Sequence, residues 1–269
     1  MPLAQIEKAR VMGAFLLSGL LTAFPAFSAC SLLSPQQTVH VRTVFDGDTV
    51  LLKDGRRVRL LGINTPEMGR DGRPDQPFAQ AAKSTLKQLV TDQPLALVVG
   101  RQQKDRYGRI LGHLYRPDGQ HLAEALLQQG LGYRVSVNPN TRLVDCLATA
   151  ERRAEQKAVG LWAGPVWQEA AALKGGMQGF MLLQGRVTHI QKTQRATWLE
   201  LDDRLAVKIP TTLRKQLGNR RINALKGSRI AVRGWVVDRL TRSPRLKKGY
   251  KRWMLRLGAP SMLQMLTER

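Results

Sequence analysis

The sequence predicts a mainly β protein with added helices: a five-stranded barrel of the OB type, followed by a second small β-barrel that is OB-like in pattern. Three observations predict it. Short runs of alternating hydrophobicity recur, separated by Gly, Pro, Asp and Asn turns. Helical spacing is confined to stretches inserted between or after those runs. After Trp162 a second series of short alternating runs begins. The hydrophobic share of 43% is that of a folded chain, which excludes a disordered polyelectrolyte.

The first series opens with "VHVRTVFDGDTVLLKDGRRVRLLGI", read as strands at residues 41–44, 49–53 and 57–63. Asp54-Gly55 between the last two is a two-residue hairpin signal. "MGRDGRPDQP" reads as an exposed loop. "FAQAAKSTLKQLV" places Phe78, Ala82, Leu86 and Leu89 on one helical face. "LALVVG" and "RILGHLY" are two more strands, with "DRYG" before the second. "HLAEALLQQG" is a short helix stopped by Gly130, and "VDCLATAERRAEQKAVGLW" a longer one with Gly160 near its end. "MLLQGRVTHI", "TWLEL", "LAVKI", "RIAVRGWVV" and "WMLRL" form the second series, with "PTTLRKQL" as a short helix after the third strand. These runs divide the chain into a first domain at 38–164, a linker at 165–178 and an accessory domain at 179–266.

Residues 1–29 have a different character. Lys8 and Arg10 precede the uncharged run "VMGAFLLSGLLTAFPAF", and small residues follow in "AFSAC". That is the order of a secretory signal peptide; the run is too short and too broken by Gly13, Gly19 and Pro25 to make a good membrane span. The expected product is exported, periplasmic or secreted, with no transmembrane span in the mature chain. A lipoprotein anchored through Cys30 ranks second, because Phe27 is an unusual residue three positions before a lipidated cysteine. Cys30 and Cys146 are the only two cysteines. They are either two unrelated thiols or, as export favours, a disulfide.

The net charge of +23 calls for a polyanionic partner, nucleic acid or an anionic membrane surface. From Pro165 to Arg269, 22 Lys and Arg stand against 6 Asp and Glu, so +16 of that charge lies in the second part.

Polar residues gather at the strand ends of the first series: Asp46 and Asp48 in "DGDT", Arg59, then Asn64, Thr65 and Glu67 in "GINTPE", and Asp105, Tyr107 and Arg109 in "DRYGR". Phosphodiester cleavage needs this mixture. Hard oxygens hold Ca²⁺ or Mg²⁺, guanidinium groups neutralise developing phosphoryl charge, and a carboxylate takes a proton from water. His40, His113, His121 and His189 lack the spacing of a zinc site and are read as structural.

"DGDTV", "RLLGINTPE", "DRYGR", "AEALLQQGLG" and "AERRAEQKAVGLW" occur in the order and spacing of the staphylococcal-nuclease-like (thermonuclease) family, which the chain resembles from about residue 41 to 162. The resemblance implies an OB barrel with helices and Ca²⁺-dependent hydrolysis of DNA and RNA. It implies metal ligands at Asp48, Asn64, Thr65 (through its carbonyl) and Glu67, with another divalent cation such as Mg²⁺ as the alternative to Ca²⁺. Glu67 would be the general base, and Arg59 and Arg109 the phosphate-binding catalytic arginines. Tyr107 would lie beside the bound nucleotide, and Arg106 is grouped with it as substrate-binding. Two departures stand out. Asn64 is an amide where the family prototype has Asp, which removes a ligand charge. Ser136 and Asn138 stand where the prototype has stacking tyrosines.

In the second series Trp198, Trp235, Tyr250 and Trp253 are interleaved with Arg and Lys, and "RLTRSPRLKKGYKR" is a basic loop. Aromatics with cations on a small barrel suit single-stranded nucleic acid, whereas alternating tryptophans also suit a core. The expectation is a monomeric exported nuclease acting on DNA, RNA or both, without a small-molecule cofactor. The alternatives are a nucleic-acid-binding module that has lost turnover, and an envelope-associated protein that binds polyanions.

Overall fold

The structure, a computed structural model, describes residues 30–266 apart from residues 32, 35, 36, 70 and 242. The signal segment expected at 1–29 lies outside the described residues. Among the described residues no helix is long and apolar enough to cross a membrane.

The first barrel is built from β1 (Gln37–Val39), β2 (Val41–Val44), β3 (Thr49–Leu52), β4 (Arg57–Leu60), a short β5 (Ile63–Asn64), α1 (Ala79–Val90), β6 (Leu95–Lys104), β7 (Ile110–Tyr115), α2 (Leu122–Gln128), β8 (Tyr133–Arg134) and α3 (Val144–Gln156). β1 and β2 adjoin at His40 and act as one bent strand. It pairs with β3 through β2 and with β6 through β1, so the sheet closes. The ring is completed by β3–β4 and β6–β7 antiparallel and β4–β7 parallel. Alternation puts Val50 and Leu52 of β3 and Val58 and Leu60 of β4 into the core, with Leu86, Leu122, Leu126 and Leu147 from the helices. Thr49, Leu51, Arg57 and Arg59 therefore belong to the outer face.

The strand expected over 57–63 breaks after Leu60. Gly62 takes φ +86°, and a Cβ there would collide with Leu147 of α3. Beyond that turn Ile63 and Asn64 leave the barrel sheet and pair with Arg134 and Tyr133. Phe78, expected on the buried face of its helix, is instead the residue before α1, at φ 67° and 43% exposed. The buried stripe of α1 is Ala79, Ala82, Leu86 and Val90. α3 ends at Gln156, and Trp162 packs from a following 3₁₀ turn, Gly160–Ala163.

The second barrel contains β9 (Trp167–Glu169), β10 (Gly179–Lys192), β11 (Ala196–Leu201), β12 (Leu205–Pro210), α4 (Thr211–Leu217), α5 (Asn219–Asn223), β13 (Arg229–Asp238), β14 (Trp253–Arg256) and β15 (Leu263–Met265). β10–β11 and β11–β12 pair antiparallel, β12–β14 parallel, and β14–β13 and β13–β10 antiparallel. This is the connectivity of the first barrel, with the parallel contact again between the third and fifth strands. The stretch 165–178, read from the sequence as a linker, is structured: β9 pairs in parallel with β10, and Ala170 and Leu173 are buried in the second core.

The barrels meet along β8 and the segment after it. Tyr133 packs edge-on against Trp162 and stacks on Phe180 of β10. Val135 packs against the second core. The Ser136 amide points to Met262 Sδ at 3.2 Å, and the Asn138 amide donates to the Gly258 carbonyl at 3.0 Å.

Candidate active site

The turn between β2 and β3 is shaped from within. The Asp48 amide donates to Asp46 Oδ1 at 3.0 Å, an Asx-type turn. Between them Gly47 lies so close to α1 and the next loop that a Cβ would sit 2.6 Å from Ala82 Cβ and 2.8 Å from Thr65 Cβ. The turn therefore presses Asp48 against the chain leaving β5. Asp48 is 5% exposed, Asn64 8% and Thr65 2%.

Around Asp48 the polar groups converge. Its Oδ1 accepts from the Thr49 hydroxyl at 3.0 Å. Its Oδ2 accepts from the Thr65 amide at 3.0 Å and pairs with Arg59 Nη2 at 2.8 Å. Arg59 Nη2 also donates to Asn64 Oδ1 at 3.1 Å, while Nη1 donates to the carbonyls of Leu60 and Ile63 at 2.7 and 2.8 Å. One guanidinium thus ties the outer face of β4 to the turn after it. Burial pushes the Asp48 carboxyl up to about 6; Arg59 pulls it down, and the nearby charges of Asp46 and Glu67 push it further up. Burial, more than any neighbouring charge, therefore sets the Asp48 carboxyl.

Glu67 is exposed. Its backbone is fixed across the loop by a reciprocal pair, the Glu67 amide to Gln76 Oε1 at 2.9 Å and the Gln76 amide to the Glu67 carbonyl at 3.1 Å. Gln76 is a positioning residue that no motif announces, because it lies at the far end of a loop rich in Gly and Pro.

The β6–β7 hairpin supplies the other wall. Asp105 Oδ1 accepts from the amides of Tyr107 and Arg109 at 2.9 and 3.0 Å, and Oδ2 pairs with Arg109 Nε at 2.7 Å. Although burial works the other way, these bonds hold the Asp105 carboxyl below its ordinary range. Arg109 Nη1 reaches Thr49 Oγ1 at 3.5 Å, the neighbour of Asp48. Tyr107 is 67% exposed, with the guanidinium groups of Arg106 and Arg109 4.7 and 5.6 Å from its ring centroid. The structure therefore brings Asp48, Arg59, Asn64 and Thr65 together, with Arg109 at the edge and Tyr107 and Arg106 at the rim.

Ser136 and Asn138 do not face an open groove. Ser136 is 4% exposed, and a Cβ at Gly258 would lie 2.6 Å from its carbonyl oxygen. Asn138 Nδ2 donates to Gln216 of α4 at 3.0 Å. The second barrel occupies the space beside both residues.

Among the described residues no three His, Cys, Asp or Glu side chains converge as a metal cluster. The donor chemistry still fits a hard divalent cation: the buried Asp48 carboxylate, an amide oxygen at Asn64, the Thr65 carbonyl, and Glu67 close enough to act on Asp48.

Against known proteins, the family described as "Staphylococcal nuclease homologue" matches residues 57–164. The chain is similar to the thermonuclease of Staphylococcus intermedius, 34% identical over 125 residues, which is 45% of this chain and 74% of that protein. It is similar to the thermonuclease of Staphylococcus hyicus, 31% identical over 131 residues, 48% of this chain and 77% of that protein. It is also similar to the endonuclease YncB of Bacillus subtilis, 32% identical over 130 residues, 46% of this chain and 61% of that protein.

Proposed function

The chain belongs to the staphylococcal nuclease family, and we propose that it is an exported, divalent-cation-dependent nuclease hydrolysing phosphodiester bonds of DNA, RNA or both. The chemistry is assigned to residues 38–164, and help in holding the strand to the basic region 179–266. The observation that carries the reading is the junction at Thr49, where Arg109 reaches the same turn whose Asp48 is paired with Arg59.

In this reading Asp48, Asn64, the Thr65 carbonyl and Glu67 would hold the cation, Ca²⁺ or Mg²⁺. Bound there, it supplies Lewis-acid stabilisation of charge on the phosphoryl oxygens. Glu67, exposed at the pocket edge, accepts a proton from water as the water oxygen forms its bond to phosphorus. The opposite P–O ester bond breaks, and the leaving oxygen takes a proton from solvent. Arg59 and Arg109 neutralise the charge that grows on the phosphoryl oxygens. Tyr107 and Arg106 at the rim contact the nucleotide.

Export is supported by chemistry at Cys30. Its sulfur is bonded to Cys146, S–S 2.08 Å, so the same sulfur does not carry a lipid thioether. The Cys30 amide donates to Glu124 Oε2 at 3.3 Å, and Glu124 is 2% exposed. Signal cleavage before Cys30 turns that amide into an ammonium group facing a buried carboxylate.

One observation favours a second reading, a binding module with weak turnover. Arg59 Nη2 stands between Asp48 Oδ2 and Asn64 Oδ1, so it engages two oxygens a cation would use. The deciding experiment is purified protein on plasmid and single-stranded substrates with Ca²⁺, Mg²⁺ or chelator. Cleavage that needs a cation and is lost in Glu67→Gln supports the nuclease. Binding without cleavage under every condition selects the second reading.

A further inference from the structure

The barrels share more than strand order. In the first, the second and third strands pair Thr49 with Arg59 on the outer face, and Arg109 reaches Thr49 from the hairpin joining the fourth and fifth strands. In the second, β11 and β12 are the second and third strands, and their register pairs Trp198 with Lys208. Both side chains alternate out of a core made by Leu199, Leu201, Val207 and Ile209. Arg239, at the start of the connection between β13 and β14, reaches the same place, its guanidinium 5.5 Å from the Trp198 ring centroid. The Lys208 ammonium is 5.4 Å from that centroid. Both barrels thus set a cation from the connection between the fourth and fifth strands against a ladder pair of the second and third, with Trp198 two residues further along its strand than Thr49.

The row continues. Trp198 is in register with Gln191 of β10, and Lys208 with the exposed Arg256 of β14. Tyr250 is 55% exposed, and Arg239 also lies 5.0 Å from its ring centroid. Arg239 thus stands between two aromatic rings. Glu200, the outward neighbour of Trp198 along β11, is held by Lys251 at 3.0 Å, so its charge is offset. The turn that corresponds to Asp46–Asp48 is Thr193, Gln194 and Arg195, which carries no carboxylate.

Resting on the nuclease reading of the first barrel, we propose that this outer face of β11, β12 and β14 is a second nucleic-acid site that holds a single strand without cutting it. Tyr250 and Trp198 offer stacking to bases, and Lys208, Arg239 and Arg256 meet phosphates. A duplex keeps its base faces stacked on one another, so single strands are the class recognised. Without carboxylates in the turn, the site lacks the means to cleave. The other tryptophans lie off this face, although Trp235 on β13 is 45% exposed where Trp198 is half-buried. Trp253 is 4% exposed in the second core, and Trp235 turns edge-on to Phe180, 5.2 Å between centroids.

The test uses the full chain in a Glu67→Gln background. Anisotropy is measured with a labelled single-stranded oligonucleotide, its duplex, and inorganic polyphosphate as competitor. Trp198→Leu and Tyr250→Ala each weaken single-strand binding about fivefold or more, with little effect on the duplex or on polyphosphate. Tyr250→Phe retains binding. Lys208→Gln and Arg239→Gln weaken every polyanion and flatten the salt dependence. Folded Trp198→Leu and Tyr250→Ala proteins with unchanged single-strand affinity overturn the site. If neutralising Lys192, Arg214 and Lys215 then weakens binding, the site is misplaced while the second barrel still assists. If the wild-type protein shows no cation-dependent cleavage, the nuclease reading fails, whatever the binding result.

Discussion

Arg233 of β13 and Glu151 of α3 form an ion pair across the seam between the barrels, Nη1 to Oε2 2.7 Å, with side chains 7% and 3% exposed. Arg134 shares the carboxylate: its Nε lies 3.0 Å from Oε2, and its amide donates to Oε1 at 2.8 Å. Arg134 Nη1 also donates to the Ser261 carbonyl of the second barrel at 3.3 Å. One carboxylate thus pairs with two guanidinium groups inside a seam where all three side chains are largely buried. Removing it leaves uncompensated buried cations, a loss of about 3–5 kcal/mol. Glu151→Gln is therefore expected to destabilise strongly and to separate the unfolding of the barrels. In urea, the wild type should show one transition by tryptophan fluorescence and far-UV circular dichroism together. Coincident, unshifted curves for Glu151→Gln would show that the apolar contacts alone join the barrels.

Asn64 sets the charge of the proposed cation site. Asn64→Asp adds a carboxylate beside Asp48, so the cation concentration for half-maximal cleavage should fall. It also competes with Asp48 for Arg59, which now bridges the two side chains. A higher cation requirement in Asn64→Asp would place the cation elsewhere.

Glu67 and Arg109 are the residues to which the proposed chemistry is assigned. Glu67→Gln and Arg109→Ala should each fold and lose turnover by about 10²–10³-fold, the scale of removing one transition-state partner. Folding is checked by unchanged circular dichroism. Rates near wild type in either variant would remove that residue from the mechanism.

The first barrel was legible because its chemistry sits in contiguous motifs. Alternation marked the strand segments of the first barrel, and the OB type holds for the observed pairing. The site lists from "DGDTV" and "RLLGINTPE" landed on one pocket because a tight Gly47 and a left-handed Gly62 bring those segments together. Phe78 was misread because helical spacing continues one residue beyond the helix, and nothing in the sequence marks a left-handed residue at that boundary. Gln76, the Glu151 triad and the cover over Ser136 were not legible. Each depends on contacts between residues far apart in sequence, and a charged residue looks the same in a sequence whether solvated or buried. The tryptophans show the same limit: alternation cannot say that Trp198 faces out while Trp253 faces in.

Cys30 and Cys146 close a long loop, 116 residues apart in sequence, and their Cα atoms are 5.4 Å apart. Cross-linking constrains the unfolded chain, which contributes roughly 2–4 kcal/mol. The Cys30→Ser, Cys146→Ser double variant should unfold at lower denaturant with the nuclease pocket otherwise intact. Reduced wild-type protein should match it. Equal stability of oxidised and reduced protein would mean that the remaining contacts of the segment, such as Tyr115 to the Ser31 carbonyl at 3.2 Å, already fix it.

Acid strains the buried pair His113 and His121. His121 caps α2: its Nδ1 accepts from the Glu124 amide at 3.2 Å. Its proton is therefore on Nε2, which donates to His113 Nδ1 at 3.1 Å. Neither ring has room for a second proton without breaking this chain. Burial, with Arg142 adding to it, pushes His113 down to about 4. Burial, then His113, holds His121 well below its ordinary value. Both folded values lie below the unfolded one, so the unfolded chain binds more protons in the interval. Their contribution is present above about pH 6.5 and is lost as pH falls toward about 4, roughly 3 kcal/mol for His113 alone. Asp48 acts in the opposite sense, since its raised carboxyl favours the folded state as it protonates between about 6 and the unfolded value. The comparison must therefore be between variants rather than between pH values alone. His121→Asn keeps a capping oxygen for the Glu124 amide and removes one titration. His113→Gln, made together with it, removes the other. Urea midpoints measured at neutral pH and near pH 4.5 should converge for the double variant relative to wild type. An equally steep acid loss in the double variant would assign the acid sensitivity to other groups.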